Sequence, residues 1–175
     1  MSHRAHFLRP TSTPPYCHLR IDVRVADQTT IGYRSVVTPR FELFDHTADM
    51  GIRAFASTLA ELVDVAVAGL YATIGELTAA GGAEKISYDR TGLNSAELLR
   101  DLLAEVLLLF ELKHRKVTGA TAEEFSENHL RVTLSVAEVD FEKSVFFREV
   151  KAVTYHELDI RLVDGGYEAT FIVDI

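Results

Sequence analysis

The chain has 175 residues, a formal net charge of −8, 47% hydrophobic residues and 25% charged residues. This length predicts a single domain that buries about 70% of the surface its unfolded chain exposes. The composition excludes a collagen-like chain and a chain disordered throughout, and the negative charge argues against a protein devoted to nucleic-acid binding, because attraction to phosphate requires positive surface.

Residues 1–40 differ from the rest of the chain in charge. They contain six Arg and two Asp, a net charge of +4, whereas residues 41–175 carry −12. Three of the four prolines lie within residues 1–18, and the segment lacks the apolar core of a secretory signal. We predict a poorly ordered N-terminal extension here, followed by a domain over residues 41–175. Residues 19–25 and 30–37 could form strands, and the Arg-rich start is faintly typical of an organelle transit segment.

Cysteine content and hydropathy limit the compartment and the kinds of site. Cys17 is the only cysteine, which excludes an internal disulfide and a Cys-based zinc site. No apolar run approaches the roughly 18–20 residues of a membrane span. We therefore expect a cytoplasmic protein without a membrane partner.

The predicted domain begins with two strands around a polar connection. The segment from Phe41 to Phe44 has the composition of a short strand, and the alternation from Gly51 to Ala56 predicts a second one. The connection between them reads Asp45-His46-Thr47-Ala48-Asp49. It concentrates groups that bind metals or transfer protons in a few residues.

Two amphipathic helices are predicted next. Thr58 and Glu61 fit a capping box at the start of the first helix, and Asn94 can cap the second. The glycine pair at residues 81–82 predicts a break between them, before an edge strand over residues 84–90. Apolar residues recur at helical spacing, as Leu59, Leu62, Val63, Ala66, Val67, Leu70 and Ile74 in the first helix and Leu99, Leu102, Leu103, Val106, Leu107 and Phe110 in the second.

The C-terminal part is predicted to be β-structure. Residues 130–136 alternate in polarity, and predicted strands over residues 151–163 and 167–174 flank the hairpin signal Asp164-Gly165-Gly166. We find no repeated βαβ unit. The predicted fold class is therefore α+β, a largely antiparallel or mixed β-sheet with the two amphipathic helices packed on one face.

Three features could carry chemistry, and each has an ordinary structural alternative. The cluster from Asp45 to Asp49 could bind a metal or could be a turn whose side chains bond the local backbone. Asp174 and the α-carboxylate of Ile175 would lie together if the last strand reaches the chain end, and a divalent cation would relieve their repulsion. The alternative there is a solvated terminus.

The third feature is Lys151-Ala152-Val153-Thr154-Tyr155-His156. On a strand, His156 would share a face with Leu158 and Ile160. This placement favours a hydrogen-bonded core histidine over a metal ligand.

Taken together and in order, these three motifs resemble the archease family. An HTAD motif at residues 46–49, a KAxTYH motif at residues 151–156 and a terminal Asp174-Ile175 are typical of that family at about this spacing. The resemblance covers residues 41–175 and implies the archease-like α+β fold.

The resemblance also implies a function and a site. Archeases are protein cofactors of an RtcB-type RNA ligase in tRNA splicing and RNA repair; they promote ligase guanylylation and multiple turnover and are not expected to be enzymes. Their divalent cation, most often Ca²⁺ with Mg²⁺ or Mn²⁺ as alternatives, would be bound here by Asp49, Asp174 and Ile175. By the same resemblance, the other polar residues of the motifs would lie near the metal or contact the partner, namely Asp45, His46, Lys151 and His156. No stable nucleic-acid binding is expected of the chain itself.

The residues are also compatible with two other functions. The first is a metal-dependent hydrolase that uses Asp45, His46, Asp49 and Asp174, although the cluster offers no obvious nucleophile. The second is a chaperone or binding module in which the metal is only structural.

Overall fold

The computed structural model describes residues 37–175. The predicted N-terminal extension up to residue 36 and the possible strands over residues 19–25 and 30–37, except for Val37, lie outside the described residues. Within them, the elements in chain order are β1 (Arg40–His46), β2 (Asp49–Ala56), α1 (Leu59–Ile74), β3 (Gly75–Glu76), β4 (Ala79–Thr91), α2 (Ser95–Lys113), β5 (Arg115–Phe125), β6 (His129–Val139), β7 (Val145–Phe146), β8 (Ala152–Val153), β9 (Asp159–Val163) and β10 (Gly166–Asp174).

The strands form two principal sheets. One has five strands in the order β1-β2-β10-β8, with β9 also paired to β10, and the other has three strands in the order β4-β6-β5. The short strands β3 and β7 pair with each other, and every pairing is antiparallel. Both helices contact both sheets, and the buried residues form one hydrophobic core. The predicted α+β class is confirmed, but its strands are divided between sheets.

Both predicted helices begin at the predicted caps. The Thr58 hydroxyl accepts a hydrogen bond from the Glu61 amide at 3.1 Å, and the Asn94 side chain accepts one from the Glu97 amide at 2.9 Å. The predicted apolar faces are buried, with Leu59 and Phe110 partly so. Among residues 37–175, neither helix combines the length and apolarity that crossing a membrane requires.

Two local predictions are wrong. The glycine pair at residues 81–82 lies inside β4, where the register with β6 shifts between Ala80 and Glu84, so the glycines accompany a bulge and do not end the strand. The single strand predicted over residues 151–163 is two strands, because the chain turns between β8 and β9 and Glu157 adopts a left-handed φ of 49°. Strand β5 was not predicted.

The last strand holds the chain end in the sheet. β9 and β10 form the predicted hairpin, with Gly165 at a φ of 82° that favours glycine. β10 pairs with β2 on one side and with β9 and β8 on the other. Ala169, Phe171 and Val173 are buried, and so are Glu168 and Ile172 on the opposite face. Because β10 lies inside the sheet, its final residues are fixed against their neighbours.

Candidate functional site

Asp49 and Asp174 are brought side by side by strand pairing. β2 and β10 pair from Ala56–Tyr167 to Met50–Val173, so the same register places Asp49 opposite Asp174. Side chains of directly opposed residues share a sheet face with Cβ atoms about 4.5–5.5 Å apart. Both aspartates are only partly buried. Two carboxylates therefore stand together at an accessible end of the sheet.

Lys151 contacts the chain end next to these carboxylates. Its backbone amide donates to the Asp174 carbonyl at 2.8 Å. Its Nζ donates to the Ile175 oxygen at 2.8 Å and lies 3.7 Å from Oδ1 of Asp174. The ammonium group thus offsets part of the negative charge of the chain end, but the pair is half-exposed and such pairs stabilise a fold by about 1 kcal/mol or less.

The turn between β1 and β2 places His46 on the same side as the carboxylates. Thr47 and Ala48 form a two-residue connection, and His46 pairs with Asp49 across it. Asp45 pairs with Met50 instead. Since successive residues of a strand alternate between faces, Asp45 lies on the opposite face from His46 and Asp49 and is exposed.

His46 and His156 meet although they are far apart in sequence. Their ring centroids are 5.1 Å apart, and their Nε2 atoms lie 3.6 Å and 3.7 Å from Oε1 of Glu157. The His156 side chain is 62% exposed, so its interpretation as a core histidine is wrong. The reason is the turn after β8, which carries His156 out of the strand alternation on which that interpretation depended.

Glu157 is a site candidate that the sequence analysis missed. It follows His156 directly, and its carboxylate, with the two histidines, forms a group whose potential ligand atoms lie within 4.8 Å of one another. The available signal was an acidic residue beside a histidine. That signal is common and became informative only when the turn brought His46 to the same place.

The donors at the chain end suit a hard divalent cation. Asp49, Asp174 and the terminal carboxylate of Ile175 offer oxygen ligands, which Ca²⁺, Mg²⁺ and Mn²⁺ prefer. A cation bound by the Ile175 carboxylate would compete with the Lys151 Nζ, which now contacts that residue. The residues present are therefore compatible with the cation that the resemblance implies.

Comparison with known proteins identifies the family. Residues 41–175 match the model of the "Archease protein family (MTH1598/TM1083)". The chain is 30% identical over 138 residues to protein archease of Methanopyrus kandleri, covering 77% of this chain and 99% of that protein. It is 30% identical over 140 residues to protein archease of Thermococcus gammatolerans, covering 78% and 99%.

Solved structures share the fold. The solution structure of protein 1598 of Methanobacterium thermoautotrophicum superposes with a TM-score of 0.60 at 25% identity, over 77% of this chain and 98% of that one. The crystal structure of a Thermotoga maritima archease, described as a possible chaperone, gives a TM-score of 0.55 at 20% identity over 75% and 94%, which supports the fold alone. The family match covers the whole of the described domain from Phe41 onward, and the chain belongs to the archease family.

Proposed function

We propose that this chain is a protein cofactor that activates an RtcB-type RNA ligase. It would promote guanylylation of the ligase histidine and multiple turnover in tRNA splicing and RNA repair, without an enzymatic activity of its own. Membership of the archease family supports the role. The observation that carries the site assignment is the alignment of Asp49 with Asp174 at the end of β2 and β10.

The charges at this end of the sheet favour a bound divalent cation. Asp49, Asp174 and the terminal carboxylate of Ile175 carry three negative charges, and the Lys151 ammonium group offsets one of them. Like charges held close together repel, and a divalent cation would balance the remainder. Ca²⁺ takes six to eight oxygen ligands, so water or a group of the ligase could complete the coordination.

The acidity of the domain indicates a protein partner. Residues 41–175 have a net charge of −12, which disfavours direct contact with RNA phosphates. A basic surface on the ligase would be attracted to this domain and would itself handle the RNA. If the end of the sheet that carries Asp49 and Asp174 faces the ligase, the cation would lie near the ligase active site.

Asp49→Ala and Asp174→Ala are the direct test. Each variant is expected to abolish stimulation of the cognate ligase in a multiple-turnover ligation assay, because each loses a metal ligand. The melting temperature in metal-free buffer should change little, since both side chains are partly exposed. Asp164→Ala is the matched control, because Asp164 is exposed in the turn at the other end of β10, and it should retain full stimulation. Full stimulation by either site variant would contradict the metal-site assignment.

The role of the Ile175 carboxylate as a metal ligand can be tested by extending the chain. A peptide extension after Ile175 converts that carboxylate into an amide and is expected to abolish stimulation and weaken Ca²⁺ binding. The same peptide at the N-terminus is the control. If the C-terminal extension leaves activation unchanged, Ile175 is not a ligand through its carboxylate.

The two alternative functions have distinct outcomes. Hydrolysis of a phosphoester by the purified protein without a ligase would support the metal-dependent hydrolase. A large fall in melting temperature on chelation of Ca²⁺, with ligase stimulation unaffected, would support a chaperone or binding module with a structural ion, because a ligand that binds only the native state stabilises it by mass action.

A further inference from the structure

We propose that His46, His156 and Glu157 form a second metal site, beside Asp49 but with its own ligands, that takes a zinc-type transition-metal ion. The three residues come from two segments, the turn end of β1 and the connection between β8 and β9. Their potential ligand atoms lie within 4.8 Å of one another. The site is independent of the ligase-activating role proposed above.

The spacing of the group is near that of a tetrahedral zinc site. Zinc binds imidazole nitrogen and carboxylate oxygen at about 2.0–2.2 Å, which separates ligand atoms by roughly 3.4 Å. The two Nε2 atoms lie 3.6 Å and 3.7 Å from Oε1 of Glu157. Both distances are within a few tenths of an ångström of the ligand spacing, and the ligand atoms of the two histidines lie within 4.8 Å of each other.

His46 has unsatisfied ring nitrogens. Its Nδ1 is buried and has no hydrogen-bond partner among residues 37–175, and its Nε2 is 3.6 Å from Glu157, which is too long for a hydrogen bond. Buried polar atoms normally have partners, and an unpartnered one calls for an explanation such as an ion. The nitrogen that faces Glu157 is Nε2, so a metal in this group would bind Nε2 and give that atom a partner.

The backbone holds both histidines beside strained positions. Thr47 follows His46 with a φ of 45°, and Glu157 follows His156 with a φ of 49°. Left-handed conformations are unfavourable for residues other than glycine, and they cluster at ligand-binding positions. A metal bound here would tie the β1–β2 turn to the β8–β9 connection.

The donor chemistry separates this site from the carboxylates at the chain end. Imidazole ligands suit zinc, copper and nickel, whereas oxygen ligands suit calcium and magnesium. Two histidines and one glutamate leave a fourth position of a tetrahedral ion open. His156 and Glu157 are exposed, so an ion can reach the site from solvent.

The test is zinc binding measured by calorimetry on the full-length chain. Residues 1–36 contain other potential zinc ligands, so the measurement uses a background in which four of them are replaced, namely His3, His6, Cys17 and His18. One zinc ion per chain is expected. His156→Ala and Glu157→Ala should each weaken it by at least the roughly 10- to 100-fold that loss of an outer partner costs a metal site. Both residues are exposed, and circular dichroism checks that the variants fold.

Two controls separate the sites. His114→Asn removes an exposed histidine at the C-terminal end of α2 and should leave zinc affinity unchanged. The double variant Asp49→Asn/Asp174→Asn should also retain zinc, while it loses Ca²⁺ binding if the proposed function is correct. Co²⁺ added in place of zinc should give visible absorption bands that disappear in His156→Ala.

Three results would overturn the proposal. The first is no zinc binding at micromolar concentration in the background chain. The second is undiminished binding by both His156→Ala and Glu157→Ala. The third is loss of zinc in the double aspartate variant, which would assign the ion to the chain-end carboxylates.

Discussion

The two principal sheets differ in regularity. The three-stranded sheet consists of long strands of 13, 11 and 11 residues, and ion pairs cross its surface. The five-stranded sheet has shorter strands, of which β8 has two residues, and the β1–β2 turn and the chain end meet at one end of it. Every candidate site residue belongs to this second sheet or to its connections.

This contrast indicates that the candidate chemistry is confined to one of the two sheets, although both contribute to the core. Polar side chains converge where short strands end and turns meet, because a regular strand disperses its side chains along two faces. The three-stranded sheet contributes Leu130, Val132, Leu134 and Val136 to the shared core. Changes to buried residues of the three-stranded sheet should therefore lower stability alone, whereas changes near the aspartates should also lower ligase stimulation.

Leu134→Ala is expected to have the largest effect on stability and none on the site. Leu134 is fully buried in β6, and truncation of a buried leucine costs about 2–5 kcal/mol. Ligase stimulation well below the melting temperature should be unchanged. Ile172→Ala is the matched variant in β10, fully buried and two residues from Asp174, and it should lower both stability and stimulation. Equal loss of stimulation in both variants would contradict the separation.

Gly166→Ala and Gly119→Ala compare the two sheets at glycine positions. A Cβ at Gly166 would collide with the Ala56 carbonyl oxygen, which is backbone and cannot move aside. We expect a loss of about 1–3 kcal/mol. A Cβ at Gly119 meets no atom within 4 Å, so that change should stay within about 0.5 kcal/mol. Urea denaturation measures both, and a loss within about 0.5 kcal/mol at Gly166 would show that this position is not tightly packed.

Tyr71→Phe tests the link between α1 and the three-stranded sheet. The Tyr71 hydroxyl accepts a buried hydrogen bond from the Val117 amide at 2.9 Å, and its removal leaves that amide unpaired at a cost of about 1–3 kcal/mol. Denaturation at neutral pH measures this loss. An unchanged stability would mean that another group satisfies the amide.

The pKa of Tyr71 also predicts how the stability of the protein changes at alkaline pH. Burial raises the pKa of Tyr71 to about 12, above its unfolded value near 10. The stability that Tyr71 contributes is therefore complete below pH 10 and is lost as the pH rises through 12. The difference in stability between Tyr71→Phe and the parent chain should shrink over this range.

His129→Gln should have the smallest effect, confined to the three-stranded sheet. The His129 ring lies 3.0 Å from Glu124 and 2.9 Å from Asp89, and these hydrogen bonds raise its pKa. Its contribution is complete below the unfolded pKa of about 6.5 and is lost as the pH rises through the raised value. The melting temperatures of parent and variant should converge with rising pH. A difference that grows with pH would contradict this assignment.

The sequence was most informative where local chemistry decides structure. Thr58 and Asn94 cap the helices as predicted because a cap needs only neighbouring residues. The hairpin at Gly165 likewise depends on neighbouring residues alone. The alignment of Asp49 with Asp174 follows from the pairing of β2 with β10, which the sequence reached only through the family resemblance.

The two wrong predictions of secondary structure have a common physical cause. Residues 151–163 alternate like a strand, but the left-handed backbone at Glu157 interrupts it, and no glycine or proline marks that turn. The glycine pair at residues 81–82 was expected to break the chain, but its neighbours pair with β6 on both sides of a bulge. In each case, contacts between distant segments overrode the local signal.

The position of β10 has a consequence for folding. Its register joins Met50 to Val173 and Ala56 to Tyr167, residues more than a hundred positions apart, whereas β5 and β6 are neighbours in sequence. Closing a long loop lowers the entropy of the chain before the contacts between the two strands can stabilise it. The three-stranded sheet can therefore form early, and the end of the five-stranded sheet that carries the aspartates is completed late, so a partner that recognises this end would select chains that have finished folding.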